Sequence, residues 1–266
     1  MKKTFLASAA LLFISHLQAQ QKEGKVIYDR TMQVQIHIAD NDQLQQMLPK
    51  TRTDKFELSF GNNHSLWKHV DEEDNNSDEI GGGGMQIKMA VTGTDDITYC
   101  DFEKAIKVEQ REMFGKKFII SDSIHKLNWK LSDETKMILG YACRKATAQR
   151  FGKRMMMNMD NGKMERKEVN DTSNMVAWFT TDIPVSAGPE VQGQLPGLIL
   201  ALDMNNGRMV YVATNISPKT DVALIKEPTK GKKVTPDEFV VERNKAMEEM
   251  QKNNQGNGSR VIRIQN

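Results

Sequence analysis

Apolar and polar residues alternate with a period of two along most of the chain. The first run contains Val26, Tyr28 and Arg30. Comparable runs recur at 56–60, 85–91, 106–108, 127–131, 176–178 and 209–213, with a continuous apolar run over 198–202. Such alternation is typical of strands that bury one face. The pattern predicts a mainly β fold, a single large curved antiparallel sheet or open half-barrel that hides its apolar face.

Two segments break this rhythm. Residues 71–84 are acidic and then glycine-rich, which predicts a mobile loop; a cation site is the alternative, although the spacing lacks that of an EF-hand loop. Near the C-terminus, Thr235, Pro236 and Glu238 form a helix-start signal with a capping box. We therefore predict a C-terminal helix over 235–252, followed by a flexible tail over 253–266.

The N-terminus has the pattern of a secretory signal peptide. Lys2 and Lys3 precede an apolar stretch, and Ala19 offers a small residue at the cleavage position. The stretch is too short for a membrane anchor. We expect residues 1–19 to be removed, leaving a β domain over 20–234 in a protein that is periplasmic, outer-membrane-associated or extracellular. No later stretch approaches eighteen consecutive apolar residues, so the mature chain should have no transmembrane segment.

Composition and net charge indicate which kinds of partner the protein is expected to bind. The chain is 38% hydrophobic and 27% charged, and with glycine counted its apolar share is just under the usual range for globular proteins. Its formal net charge of +2 falls to zero without residues 1–19, whose only Lys or Arg residues are Lys2 and Lys3. Because nucleic-acid-binding proteins usually carry a net basic surface, this balance argues against a nucleic-acid partner.

The segment between 124 and 202 contains a recognisable order of aromatic and turn-forming residues. Its members are Trp129, Tyr141, Trp178, Pro184, Gly188, Pro189, Pro196 and Gly197. The order resembles the GLPGLI family, which comprises secreted proteins of Bacteroidetes-type bacteria. Gln194 replaces the first glycine of the namesake motif, with Gly193 one place earlier. The resemblance implies a β-rich cell-envelope protein shaped like the half-barrels of periplasmic lipid and lipoprotein carriers; the family has no established activity to carry over.

The same residues have a physical interpretation of their own. Gly188-Pro189 and Pro196-Gly197 are turn signals on either side of a short segment that precedes the apolar run at 198–202. We interpret the motif as a bend that delivers a strand into the core, with a ligand-binding loop as the alternative. Trp129 and Trp178 should be core residues whose indole N–H groups need partners.

Cys100 and Cys143 are the two cysteines of the chain. An oxidising envelope would favour a disulfide between them. Two buried free thiols are the alternative, because both cysteines lie in predicted strands whose separation the sequence does not define.

Methionine is concentrated between 154 and 164, with Met155, Met157 and Met159 at alternate positions and Met164 beyond Asn161-Gly162. We predict a hairpin with its turn at Asn161-Gly162 and the three alternating methionines packed on the core. The competing hypothesis is a Cu(I) site, because thioethers are soft ligands.

Recognisable catalytic chemistry is missing from the sequence. It has no HExxH, CxxC or GxSxG motif and no phosphate-binding glycine loop. The mature chain would hold four histidines, at 37, 64, 69 and 125. We therefore assign no catalytic residue and no cofactor.

Three classes of function remain. A non-enzymatic envelope protein that binds an apolar ligand, a peptide or a partner protein on its curved sheet is favoured. A Cu(I)-handling protein that uses the methionine segment and an enzyme without a sequence signature are the alternatives.

The predicted signal peptide can be tested directly. N-terminal sequencing of the secreted protein should begin at or near Gln20, because signal cleavage follows the small residue Ala19. A mature chain that still carries Lys2 and Lys3 would contradict both the export and the neutral charge balance.

Overall fold

A computed structural model describes residues 21–33, 50–70, 79–82, 85–88, 95–160 and 163–254. The side chains of 79–82, 85–88, 154–168 and 250–254 are not among its described parts. The signal peptide expected at 1–19, the tail after 254 and the turn residues Asn161 and Gly162 lie outside the described residues.

The described residues form fourteen strands and one α-helix. The strands are β1 (Gly24–Gln33), β2 (Thr51–Gly61), β3 (His64–His69), β4 (Glu79–Gly82), β5 (Met85–Lys88), β6 (Ile97–Asp101), β7 (Ile106–Met113), β8 (Lys116–Ser123), β9 (Lys130–Ile138), β10 (Tyr141–Asp160), β11 (Lys163–Thr180), β12 (Leu198–Met204), β13 (Met209–Ser217) and β14 (Lys232–Val234). The helix α1 spans Pro236–Asn254.

Twelve strands join in one sheet in the order β14-β8-β7-β6-β3-β2-β1-β13-β12-β11-β10-β9. The predicted mainly β fold and its C-terminal helix are confirmed, with one correction. The short β14 pairs in parallel with β8, so the sheet is mixed rather than purely antiparallel. Strand β14 follows a long excursion from β13, which lets it approach the far edge in the parallel direction.

Period-two alternation explains the strands directly. In β1, Gly24, Val26 and Tyr28 are buried while the residues between them are partly exposed. The partner strand β2 places Phe56 and Leu58 opposite Tyr28 and Val26. One face of the sheet is therefore apolar at its centre and has to be covered.

The two segments that interrupt the alternation, 71–84 and 235–252, are partly described by the structure. Strand β4 lies within the segment 71–84, expected to be a mobile loop, and it pairs with β5, which follows that segment, in a separate two-stranded sheet; residues 71–78 and 83–84 lie outside the described residues. At the helix, Thr235 Oγ1 accepts the Glu238 N–H at 3.2 Å and Glu238 Oε2 accepts the Thr235 N–H at 2.8 Å, which is the predicted capping box. Helix α1 contacts the sheet through Phe239, whose ring lies 5.5 Å from that of Phe118. No helix in the described ranges is long and apolar enough to cross a membrane.

Strands β10 and β11 form a long hairpin that extends beyond the neighbouring strands β9 and β12. Asp160 lies opposite Lys163, so a two-residue connection at 161–162 joins them as predicted. Beyond Thr147 the first strand leaves β9, and before Asn174 the second has not yet joined β12. The outer part is a two-stranded ribbon, on which Phe151 is 75% exposed.

Cys100 and Cys143 are both free and buried. The structure therefore has the two buried thiols and not the disulfide that an oxidising envelope would favour. They lie on β6 and β10, which are seven strand positions apart in the sheet order. Cys143 packs in the core beside Tyr28 and Leu198, whereas Cys100 lies opposite Ser65 of β3. Two thiols placed in separate parts of the sheet do not meet the short Cα separation that a disulfide needs.

Burial should make both thiols unreactive in the folded protein. It raises the pKa of the Cys100 thiol to about 12 and that of Cys143 to about 11. At pH 8 fewer than about one thiol in a thousand would be ionised, and the thiolate is the reactive form. We expect slow labelling by a disulfide reagent in the native state and two labels after unfolding. Absence of labelling in the unfolded, unreduced protein would contradict the free-thiol state.

Candidate functional site

The segment between β11 and β12, residues 181–197, covers the apolar face of the sheet and is called here the covering segment. Four of its apolar side chains are buried: Ile183, Ala187, Val191 and Leu195. They belong to two core clusters that also contain residues of β1, β2, β11, β12 and β13. Tyr28 fixes the end of the segment, since its hydroxyl donates to the carbonyl oxygen of Ile199 at 2.7 Å.

The turn residues of the motif allow this segment to lie close to the sheet. A Cβ atom at Gly197 would lie 2.0 Å from the carbonyl oxygen of Thr180, and one at Gly188 would lie 2.6 Å from the Cβ of Ile199. The Leu198 N–H donates to the Ile183 carbonyl at 3.0 Å. The motif therefore forms a bend that leads the chain into the buried strand β12.

Gln194, which departs from the family motif, has a structural role. Its Oε1 accepts the N–H of Leu127 at 2.9 Å and the indole N–H of Trp129 at 3.0 Å. The side chain thus ties the covering segment to the chain that leads into β9 and supplies the partner that Trp129 needs.

The remaining residues of the sequence motif lie around the covering segment rather than in one pocket. Trp129, Tyr141 and Trp178 are half-buried at the margins of the core clusters. The Nζ of Lys136 lies 4.3 Å from the Trp178 ring centroid, so the lysine ammonium group covers part of the Trp178 ring. The four methionines proposed as metal ligands occupy positions on β10 and β11, but their side chains lie outside the described residues.

An aromatic cluster lies on this face of the sheet; Tyr28, Phe56 and Tyr211 are buried in it and Trp67 is its partly exposed member. Half-buried Trp67 lies 5.0 Å from Phe56, 5.3 Å from Tyr28 and 5.9 Å from Tyr211, measured between ring centroids. Strands β3 and β13 are three positions apart, or about 14 Å in a flat sheet. The contact between Trp67 and Tyr211 therefore shows that this face is concave.

Charged groups lie beside the rings. The carboxylate of Asp54 is only 4% exposed and accepts from Arg30 at 2.9 Å and from Arg52 at 3.0 Å. Burial alone would raise the pKa of Asp54, but the two guanidinium groups outweigh it and lower that pKa. Arg30 also stacks 4.5 Å from the centroid of Phe56, and its buried Nε has no hydrogen-bond partner among the described residues.

Glu190 brings the covering segment into the same site. It adopts a left-handed backbone conformation with φ 59°, which is uncommon for a residue other than glycine. Its Oε1 accepts the Tyr211 hydroxyl at 2.7 Å, and its Oε2 lies 3.9 Å from a terminal nitrogen of Arg150 on β10. Burial and then this carboxylate raise the pKa of the Tyr211 hydroxyl, so Tyr211 remains a donor near neutral pH.

A further charged residue on this face is Arg111, which lies on β7. Its Nη2 donates to Glu109 Oε1 at 3.0 Å. Burial lowers the pKa of Arg111, but the carboxylates of Glu109, Asp96 and Glu190 outweigh that effect and raise it. Arg111 lies on the same face of the sheet as Trp67, because Trp67, Thr98 and Glu109 are opposite one another on β3, β6 and β7 and Arg111 follows Glu109 by two positions. We call this group the concave site; its members are Arg30, Asp54, Phe56, Trp67, Arg111, Arg150, Glu190 and Tyr211.

None of these eight residues was a candidate from the sequence. A signal was available for two of them, since Arg30 and Asp54 occupy inward positions of alternating strands where apolar residues are expected. The others require the register of distant strands to be known.

Comparison with known proteins gives one family match and a similarity to solved structures. Residues 129–201 match a family described as "Protein of unknown function (Porph_ging)". No curated protein matches the chain. Two crystal structures of PNGF-II, in space groups C2 and P21, resemble it with TM-scores of 0.51 and 0.50 at 16% sequence identity. The similarity covers 84% and 85% of this chain but 33% and 34% of theirs, so the chain spans about a third of their length. At this identity the likeness concerns the fold alone.

The close approach at Gly197 makes a testable prediction. Gly197→Ala should destabilise the protein by about 2 kcal/mol or more, because its new methyl group meets backbone atoms on which the sheet depends. Thermal unfolding measures the change. The matched control is Gly152→Ala, where nothing lies within 4 Å of the added Cβ; it should change stability by about 0.5 kcal/mol or less. Equal effects of the two substitutions would contradict this account of the bend.

Proposed function

We propose that this chain is a non-enzymatic binding protein that holds an apolar ligand, a peptide or a segment of a partner protein on the concave site. The observation that carries the proposal is the convergence of Trp67, Phe56 and Tyr211 from three separate strands on one concave face. Aromatic groups in a concave surface with a few polar groups are typical of ligand sites. The covering segment fills the apolar centre of the face, so a ligand would meet the rings at its margin.

Export and family membership are part of the same proposal. The signal pattern at 1–19 supports secretion into or beyond the cell envelope, and the turn motif supports membership of the GLPGLI family. The match of residues 129–201 to an uncharacterised family is consistent with that membership.

The proposal can be tested with a neutral apolar probe. N-phenyl-1-naphthylamine should bind the purified protein with a rise in fluorescence, and Trp67→Ala should weaken its affinity about tenfold, because one buried ring contact is worth about 1 kcal/mol or slightly more. Trp178→Ala, which alters a half-buried tryptophan elsewhere on the sheet, is the control and should leave binding unchanged. Failure of the probe to bind the parent protein, or equal losses in the two variants, would contradict the proposed function.

A further inference from the structure

The concave site has more cationic groups than carboxylates. Asp54 is shared by two guanidinium groups, those of Arg30 and Arg52. Glu109 is shared by Lys107, at 3.2 Å, and Arg111. The eight members of the concave site include three guanidinium groups, those of Arg30, Arg111 and Arg150, and two carboxylates, those of Asp54 and Glu190. Arg30 is paired with the buried Asp54, whereas Arg111 and Arg150 are partly exposed.

The Glu190 carboxylate occupies the point at which these charges meet. It accepts from Tyr211 at 2.7 Å, whereas its contact with Arg150 is a looser 3.9 Å. The side chains of Arg111 and Arg150 are 44% and 43% exposed, so both guanidinium groups retain donors that face water. A planar guanidinium group recognises carboxylates and similar oxyanions through paired donors.

The backbone around Glu190 is held while its side chain can leave. The Val191 N–H donates to the Pro189 carbonyl at 2.6 Å and the Gly193 N–H to the Ser186 carbonyl at 2.6 Å. The carboxylate itself is 36% exposed. An incoming anion could therefore displace the side chain without displacing the covering segment from the core.

We propose that the concave site takes a ligand in which an anionic group, of the carboxylate class, is joined to an apolar or aromatic group. Arg111 and Arg150 bind the anionic group in place of the Glu190 side chain, and the half-buried ring of Trp67 contacts the apolar part. This inference rests on the proposed function and specifies the chemistry of its ligand.

Two probes that differ by one charged group test it. 1-Anilinonaphthalene-8-sulfonate has the rings of N-phenyl-1-naphthylamine plus a sulfonate. Fluorescence titration of the purified protein should show the anionic probe binding at least about fivefold more tightly, and the preference should fall as salt is raised, because partly exposed charges are screened. Octanoate should displace the anionic probe, and octanol should not.

Variants identify the groups that hold the anion. Arg111→Gln and Arg150→Gln should each reduce the preference for the anionic probe about threefold or more, whereas Arg150→Lys should retain part of it and so separates charge from folding. Glu190→Gln, which can still accept from Tyr211, should increase the preference. Arg144→Gln is the control: Arg144 is 47% exposed and paired with Asp133 of β9, about 20 Å further along the same strand as Arg150.

The outcomes separate this inference from the proposed function. Binding of both probes with equal affinity would overturn the anionic ligand class and leave the binding function standing. Binding of neither probe would overturn both. A preference that Arg144→Gln reduces as much as Arg150→Gln would overturn the assignment to the concave site, and displacement by octanol as readily as by octanoate would overturn the role of the charge.

Discussion

Burial of the concave apolar face by the covering segment is the interaction on which the rest of the structure depends. A sheet of twelve strands cannot leave such a face in water, because each square ångström of apolar surface costs about 25 cal/mol. Ile183, Val191 and Leu195 remove it from solvent, and the strand register shifts at Ile27/Tyr28 and Trp178/Phe179. The segment lies this close because Gly197 has no side chain to meet the Thr180 carbonyl.

The concave site exists where this cover ends. Near Glu190 the inward positions change from apolar to charged, and the buried carboxylate of Asp54 has two guanidinium partners. A buried charge without partners would be costly, so these ion pairs are a condition for placing charge beside the core. Arg111 and Arg150 remain partly exposed on this face, which they share with the half-buried ring of Trp67.

The comparisons bear mainly on architecture. The matched residues 129–201 contain the covering segment and its flanking strands, together with Arg150 and Glu190. Arg30, Asp54, Trp67, Arg111 and Tyr211 lie outside that range. The match thus covers β9, β10, β11, the covering segment and the first residues of β12, whereas most of the concave site belongs to strands that the match does not include.

The sequence by itself determined the strands, the bend and the helix start, because each depends on neighbouring residues. Alternation over two positions defines a strand such as β1, Pro196-Gly197 defines the turn before β12, and Thr235 with Glu238 defines the first turn of α1. Gln194 was recognisable only as a departure from a motif; that its oxygen binds two donors required the position of Trp129.

Only the tertiary structure decided the state of the cysteines and the membership of the concave site. Both depend on which distant strands the curvature of the sheet brings together, and alternation within a strand carries no information about that curvature. Cys100 and Cys143 lie on strands seven positions apart in the sheet, while Trp67 and Tyr211 are brought into contact across two intervening strands. The parallel pairing of β14 with β8 has the same origin, because the path of the chain after β13 is determined by packing.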